Sequence, residues 1–261
     1  MNFRYTGIRV RDLDRSLDFY TKVMGMKALH KGEMAHGGRY VHLESHGSKQ
    51  RLELNWYPKG SRFYTEYKNG DELDHLAFLC NDVKGIFKDL LSKGCKPAVE
   101  PFIEQGFPLA FVHDPDGVCI ELAPCPEPTN LKFIYTGIRV SDLEGSIELF
   151  TKLLGMKVGV KQRMSHGGEI VDLRSPKLDQ VLELNWYPKD NKFYMEYRNG
   201  DELDHLGFKS ASVDRDFERL IKHGCERIVE PFTESSLPDD ISGDAYVKGP
   251  DGIWIELFGK R

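Results

Sequence analysis
The chain has 261 residues, 40% of them apolar and 30% charged, with 36 Lys and Arg against 41 Asp and Glu and a formal charge of −5. That mix builds a folded protein with room for two domains and excludes a disordered one. It offers neither the basic surplus a nucleic-acid partner needs nor an apolar run approaching the ~18 residues of a membrane span.

The chain begins Met1-Asn2-Phe3-Arg4 and leads at once into strand-like sequence, so no leader peptide and a cytoplasmic location are expected. The five cysteines (Cys80, Cys95, Cys119, Cys125, Cys225) are odd in number and form no CxxC. Structural thiols in a reducing compartment follow.

In chain order, Phe3–Val10 reads as a strand and Asp12–Met24 as an amphipathic helix closed by Gly25. Strands are predicted over Met26–Lys31, Arg39–Glu44 and Arg51–Trp56, with Gly37-Gly38 in the first turn between them. The pattern then recurs: strand Leu73–Cys80, helix Val83–Ser92 ending at Gly94, and strands Lys96–Glu100, Leu109–His113 and Val118–Leu122. The turn Asp114-Pro115-Asp116-Gly117 joins the last two. Each unit is therefore βαβββ.

The chain also repeats itself at an offset of 130: residues 5–10 and 135–140 both read Tyr-Thr-Gly-Ile-Arg-Val, and 18 of 23 positions agree between Glu53–His75 and Glu183–His205. Near the end the offset becomes 135, and the five extra residues fall within the loop-like stretch Thr233–Asp244. Three prolines in Pro124–Pro128 mark the seam. The expected organisation is a first domain over 1–123, a linker over 124–131 and a second domain over 132–261, four βαβββ modules of α+β class in all.

Strand side chains alternate in direction, so groups facing one ligand recur at period two. Acidic residues inside apolar strands stand out, because an unpaired carboxylate is costly there. Glu53, His75 and Glu121 sit in such strands, and Glu183, His205 and Glu256 repeat them. Two carboxylates and an imidazole suit a divalent metal; edge-strand polar residues paired with Lys or Arg are the plainer alternative. By the same alternation Asp74 faces away from His75 and should not orient it.

Residues 5–27, Leu-Asp-His-Leu-Ala-Phe at 73–78 and Asp-Pro-Asp-Gly-Val-Cys-Ile-Glu-Leu at 114–122 resemble glyoxalase I, within the vicinal oxygen chelate superfamily. The resemblance spans both halves. It implies cup-shaped mixed sheets made from paired modules, each with a divalent metal (Zn, Ni, Co, Mn or Fe) at its floor. Carried over by position, the ligand sets are Glu53, His75 and Glu121, then Glu183, His205 and Glu256. Tyr5 and Tyr135 stand where the family has His or Gln. A phenol with a pKa of about 10 is a poor ligand, so both are expected to hydrogen-bond a metal-bound oxygen instead of coordinating.

The activity so implied is a metal-dependent lyase or isomerase acting on a hemithioacetal-type hydroxycarbonyl through an enediolate. Glu121 or Glu256 is its expected base, with Glu53 or Glu183 as the alternative. Arg9 and Arg139 match a glutathione-contacting arginine of the family. Tyr57 and Tyr187 occupy the matching asparagine position, while Asn55 and Asn185 lie two residues earlier. Those arginines and asparagines are the candidate substrate-binding residues, and an anionic small-molecule substrate is expected because an arginine beside a metal is otherwise uncompensated.

An acyl-thioester epimerase uses the same chemistry. A bleomycin-resistance-type binding protein would lack the Glu, His and Glu that both halves keep. A monomer is possible, since the duplication replaces a homodimer. Two readings stay open for each of three further features. His36 and His166 are either solvated turn residues or contacts at the cup rim. The aromatics of Asn55–Tyr67 either pack beneath the module connection or wall a substrate. Each donor set comes either from successive modules or crosses between the halves.

Overall fold
The structure is a computed structural model and describes residues 1–127, 129, 131–233 and 241–261. Among the described residues, sixteen strands and four α-helices appear in the order of the four expected modules. The first module is β1 Asn2–Arg9, α1 Leu13–Asp18, β2 Lys27–Glu33, β3 Arg39–Glu44 and β4 Arg51–Trp56. The second is β5 Leu73–Cys80, α2 Val83–Ser92, β6 Lys96–Glu104, β7 Phe107–His113 and β8 Cys119–Pro124. The third comprises β9 Lys132–Arg139, α3 Leu143–Glu148, β10 Lys157–Arg163, β11 Glu169–Arg174 and β12 Val181–Trp186. The fourth comprises β13 Leu203–Ser210, α4 Val213–Lys222, β14 Glu226–Phe232, β15 Gly243–Lys248 and β16 Trp254–Gly259. Most of the expected 233–244 loop, residues 234–240, and linker residues 128 and 130 lie outside the described residues.

One expected helix is built differently. Asp12 caps α1 by accepting from the Arg15 amide at 3.1 Å, but α1 ends at Asp18 and Phe19–Val23 forms a π turn. The wider turn buries Phe19 and Tyr20 side by side. Gly25, at φ +74°, then reverses the chain.

Two eight-stranded sheets result, ordered β14-β15-β16-β13-β1-β4-β3-β2 and β10-β11-β12-β9-β5-β8-β7-β6. Each joins one module from each half. In the first, β1 runs antiparallel to β13, pairing Thr6 with Leu206 and Gly7 with His205. In the second, β5 runs antiparallel to β9, pairing Leu76 with Thr136 and His75 with Gly137. The core lies between sheet and helices, where Phe3, Phe208, Phe78 and Phe133 have no exposed surface. Leu52 and Leu54 of β4 belong to it, and Glu53 and Asn55 between them supply the opposite, concave face.

The two sheets are tied by reciprocal contacts. The Thr6 and Thr136 hydroxyls meet at 2.7 Å. Gln50 donates to the Val181 carbonyl at 3.0 Å and accepts from its amide at 2.9 Å, while Gln180 accepts from the Arg51 amide at 3.1 Å. Gly70 and Gly200 lie back to back: a Cβ on either would strike the other's backbone nitrogen. The Gly70 amide donates to Glu202 and the Gly200 amide to Glu72. Each module connection thus crosses the other at a glycine. Among the described residues no helix is long and apolar enough to cross a membrane, and all five cysteines are free thiols.

Candidate active site
The crossed sheets decide which residues meet. Glu53 on β4 faces His205 on β13, with Glu53 Oε1 3.4 Å and Glu256 Oε2 3.6 Å from His205 Nε2. In the other cup His75 Nε2 lies 3.0 Å from Glu121 Oε2 and 3.6 Å from Glu183 Oε1. The six carboxylates and imidazoles singled out in the sequence are therefore two sets: Glu53, His205 and Glu256, and Glu183, His75 and Glu121. All six are buried.

The repeated Tyr-Thr-Gly makes room for this. A Cβ at Gly7 would stand 2.7 Å from His205 Cε1, and one at Gly137 would stand 2.6 Å from His75 Cε1. The glycine opposite each imidazole lets the ring lie flat on the neighbouring strand. Two residues earlier, Tyr5 donates to Glu256 and Tyr135 donates to Glu121 at 3.0 Å. The partner of each tyrosine is thus a carboxylate of the donor set rather than the expected metal-bound oxygen.

Asp74 does orient His75, contrary to strand alternation: its Oδ1 lies 2.9 Å from His75 Nδ1. A register shift between Leu73 and His75 breaks the alternation there. Asp204 holds His205 Nδ1 in the same way at 2.8 Å. With Nδ1 so engaged, Nε2 is the ring atom turned to the cup.

Arg9 and Arg139 stand at the cups but are not uncompensated cations. Arg9 pairs with Asp201 at 3.1 Å and Asp204 at 3.2 Å and lies over the Tyr57 ring. Arg139 pairs with Asp74 at 3.0 Å and lies over Tyr187. The expectation of an acidic substrate loses its premise, because each guanidinium already has its carboxylate. Asn55 and Asn185 are buried and donate to Glu53 and Glu183 at 2.9 and 3.1 Å; each fixes the carboxylate on its own strand.

His36 and His166 are half-buried turn residues that pack on aromatic rings at the cup rim. His36 stacks on Tyr57 and meets the edge of Phe63, with centroids 5.7 and 5.0 Å apart. His166 does the same with Tyr187 and Phe193. His36, Tyr57, Phe63 and Trp254 line the open cavity of about 2090 Å³ above Glu53, His205 and Glu256, so part of the aromatic segment is a cup wall. Arg51 lines this cavity too, already paired with Glu44 at 2.8 Å.

Two neighbours of the site escaped the sequence reading. His42 on β3 is the register partner of Glu53 and places Nε2 2.9 Å from its Oε2. Tyr246 on β15 donates to Glu256 Oε1 at 3.0 Å. Their counterparts are Asp172 and Phe111, so a search for residues kept in both halves passes over them. Pairing across a strand register was the available signal.

The cups differ in charge accordingly. Burial pushes Glu53 up, but His42 and His205 outweigh it and hold the carboxyl below its usual range. Burial pushes Glu183, which has His75 beside it but no counterpart of His42, up to about 8. Burial opposes the charge on His205, yet Glu256, Asp204 and Glu53 raise it to about 10.

Whether these groups fit a metal can be tested on their own geometry. Among the described residues no three His, Cys, Asp or Glu side chains converge as a preformed coordination sphere. The donors nevertheless stand 3.0–3.6 Å apart, the spacing of neighbouring ligands on bonds of about 2.1 Å. Nε2 of both His75 and His205 is buried and makes no hydrogen bond. A histidine already bonded through Nδ1, with a bare Nε2 facing two carboxylates, is the donor set of a divalent ion, and the residues fit one.

The family model of the Glyoxalase/Bleomycin resistance protein/Dioxygenase superfamily matches residues 2–122 and again 132–257. A lactoylglutathione lyase of Schizosaccharomyces pombe is 28% identical, over 98% of this chain and 96% of its own length. Glyoxalase I of Saccharomyces cerevisiae is 30% identical, over 97% and 90%. The crystal structure of glyoxalase I from Zea mays superposes with a TM-score of 0.78 at 28% identity, over 99% of this chain and 92% of that one. With two matching repeats, two cups and the glyoxalase I fold, the chain belongs to the glyoxalase/bleomycin resistance protein/dioxygenase superfamily and is a glyoxalase I-like lyase.

Proposed function
We propose that the chain isomerises the hemithioacetal of a 2-oxoaldehyde and a thiol, glutathione in the first instance, to the 2-hydroxyacyl thioester. The observation that carries this reading is the paired constellation of one imidazole with a bare Nε2 between two carboxylates, one of them held by a tyrosine, in each cup. The names of the Schizosaccharomyces and Saccharomyces relatives support the substrate class.

Glu53, His205 and Glu256 would hold one divalent ion and Glu183, His75 and Glu121 the other; once bound, such an ion supplies Lewis acidity toward two vicinal oxygens. Asp204 and Asp74 keep each imidazole oriented with Nε2 inward. Glu256 and Glu121 take the proton from the carbinol carbon and return it to the adjacent carbon, while the hydroxyl proton passes from the carbinol oxygen to the former carbonyl oxygen, so substrate and product are isomers. Tyr5 and Tyr246 hold the two oxygens of Glu256; Tyr135 holds Glu121. Aromatic residues wall the open cavity above the first cup, through which substrate reaches Glu256.

The test is turnover of the methylglyoxal–glutathione hemithioacetal by the metal-loaded chain. Replacing both Glu121 and Glu256 by Gln should lower kcat at least 100-fold, the usual worth of a general base. Undiminished turnover in that double variant would reject the proposed bases. Turnover of an acyl-thioester epimer instead would favour the epimerase alternative.

A further inference from the structure
The side chains that flank the donors differ between the two cups in one direction. Residues directly opposite in an antiparallel pair share a face, as do residues two apart on one strand. In the first cup Tyr40, His42 and Glu44 on β3 oppose Asn55, Glu53 and Arg51 on β4. Tyr246 on β15 opposes Glu256, which lies between Trp254 and Phe258 on β16. Tyr40, Arg51, Tyr246, Trp254 and Phe258 all line the cavity above the donors.

The second sheet keeps these registers. Ile170, Asp172 and Arg174 on β11 oppose Asn185, Glu183 and Val181 on β12. Phe111 on β7 opposes Glu121, which lies between Cys119 and Ala123 on β8. Position for position, Tyr40 becomes Ile170, Arg51 becomes Val181, Tyr246 becomes Phe111, Trp254 becomes Cys119 and Phe258 becomes Ala123. Each exchange removes a hydroxyl, a charge or an aromatic ring. Phe111 meets the His75 ring in a T-shaped contact, centroids 5.9 Å apart, and stacks on Phe102, so apolar surface reaches the imidazole itself. Asp172, the counterpart of His42, lies 3.6 Å from Arg174, whose side chain is 58% exposed.

We propose that the cups divide the 2-oxoaldehydes between them: the second cup takes those with an aromatic or branched apolar substituent, and the first favours small or polar ones. This rests on the reading of both cups as sites of hemithioacetal isomerisation. The two reacting carbons are adjacent and one of them carries the substituent, so a substrate placed for proton exchange with Glu121 or Glu256 sets its substituent among the residues beside those carboxylates. The thiol's longer chain extends toward the rim. Ile170, Val181, Cys119 and Ala123 give an apolar substituent a face to bury against, with the space that Trp254 and Phe258 fill in the first cup. In the first cup Arg51, paired with Glu44 at 2.8 Å, and Tyr40 keep the same ground polar. A phenyl group laid there would strip water from groups it cannot hydrogen-bond.

The experiment measures kcat/KM of the metal-loaded full chain for the glutathione hemithioacetals of methylglyoxal and phenylglyoxal with one cup silenced at a time, the first by Glu256→Gln and the second by Glu121→Gln. The ratio of phenylglyoxal to methylglyoxal activity should be about tenfold higher for the second cup than for the first, the order of discrimination a few apolar carbons give in a pocket. With only the second cup active, Ile170→Tyr with Val181→Arg should lower kcat/KM for phenylglyoxal about tenfold, chiefly through KM, and for methylglyoxal less than about threefold. A merely structural role would lower both alike. The products give a readout free of turnover. With both bases replaced, calorimetric titration should show one site per chain that prefers S-mandeloylglutathione to S-lactoylglutathione, and Ile170→Tyr with Val181→Arg should abolish that preference. Equal ratios in the two single-cup chains, or equal losses for both substrates in the double replacement, overturn the inference and leave the glyoxalase reading standing. Turnover of neither hemithioacetal by either cup overturns that reading and the inference with it.

Discussion
The Tyr5 cup and the Tyr135 cup are built from copies of the same modules and carry the same donors, yet four substitutions around them give different environments. His42 lies against Glu53 where the other cup has Asp172. Tyr246 supports Glu256 where the other cup has Phe111 beside its imidazole. Tyr5 packs on Gly207, whereas Tyr135 pairs with Ala77, and Tyr5 is the more deeply buried of the two. Trp254 walls one cup at the position that is Cys119 in the other. The duplication has preserved what touches the proposed reaction and let the supporting groups diverge. The Tyr5 cup thereby holds one carboxylate charged and binds the other through two hydroxyls, while the Tyr135 cup leaves Glu183 with burial dominant.

The comparison can be broken most forcefully at His42. Exchanging the pair, His42→Asp with Asp172→His, should exchange the metal affinities of the two cups, by about 10- to 100-fold each if these residues act as partners of the ligating carboxylates. Metal content measured against competing chelator, in chains whose other cup is silenced, checks it. Unchanged affinities would show that the register partner of the glutamate has no part in the difference.

A second comparison concerns the tyrosines. A Cβ at Gly207 would stand 2.6 Å from the Tyr5 ring, so Gly207→Ala should displace Tyr5 and destabilise the chain by about 1–3 kcal/mol. Ala77→Gly, in the other cup, removes a methyl group whose place the tyrosine already tolerates and should cost less than half as much. Denaturant unfolding of the two variants decides; equal costs would mean that the two tyrosines are seated alike.

A third comparison is an acid–base one in the module turns. Burial and the neighbouring Asp116 raise Asp114 to about 6, and the fourth module has Gly249 at this place. The folded chain binds this proton more tightly than the unfolded one, whose carboxyl titrates near its ordinary value of about 4. Stability should therefore fall between about pH 4 and pH 6, by on the order of 2 kcal/mol, and be level above. Asp114→Asn keeps an acceptor for the Asp116 and Val118 amides, which both bond Oδ1 at 2.8 Å, and should remove that part of the pH dependence. A slope identical to that of the parent chain would place the titration elsewhere.

Much of this was legible in the sequence. The βαβββ pattern, repeated four times, and the buried Glu, His and Glu of each half could be read from periodicity and from the cost of burying acids. The pairing of modules could not. Because the halves are near copies, Glu53 has equivalent histidines at 75 and 205, and no local signal separates them. The orientation of His75 by Asp74 was hidden by a strand irregularity. His42 and Tyr246 were hidden because repetition was the filter and neither is repeated. The partners of Arg9 were hidden in a different way: Asp201 and Asp204 come from the opposite half.

The central claim is that each donor set crosses the halves, and metal stoichiometry in paired variants tests it most directly. Glu53→Gln and His205→Ala damage the same cup, so each alone should remove one ion per chain and the pair together still only one. Glu53→Gln with His75→Ala should remove both. Loss of two ions from the first pair and one from the second would contradict the crossed assembly and return the sites to successive modules.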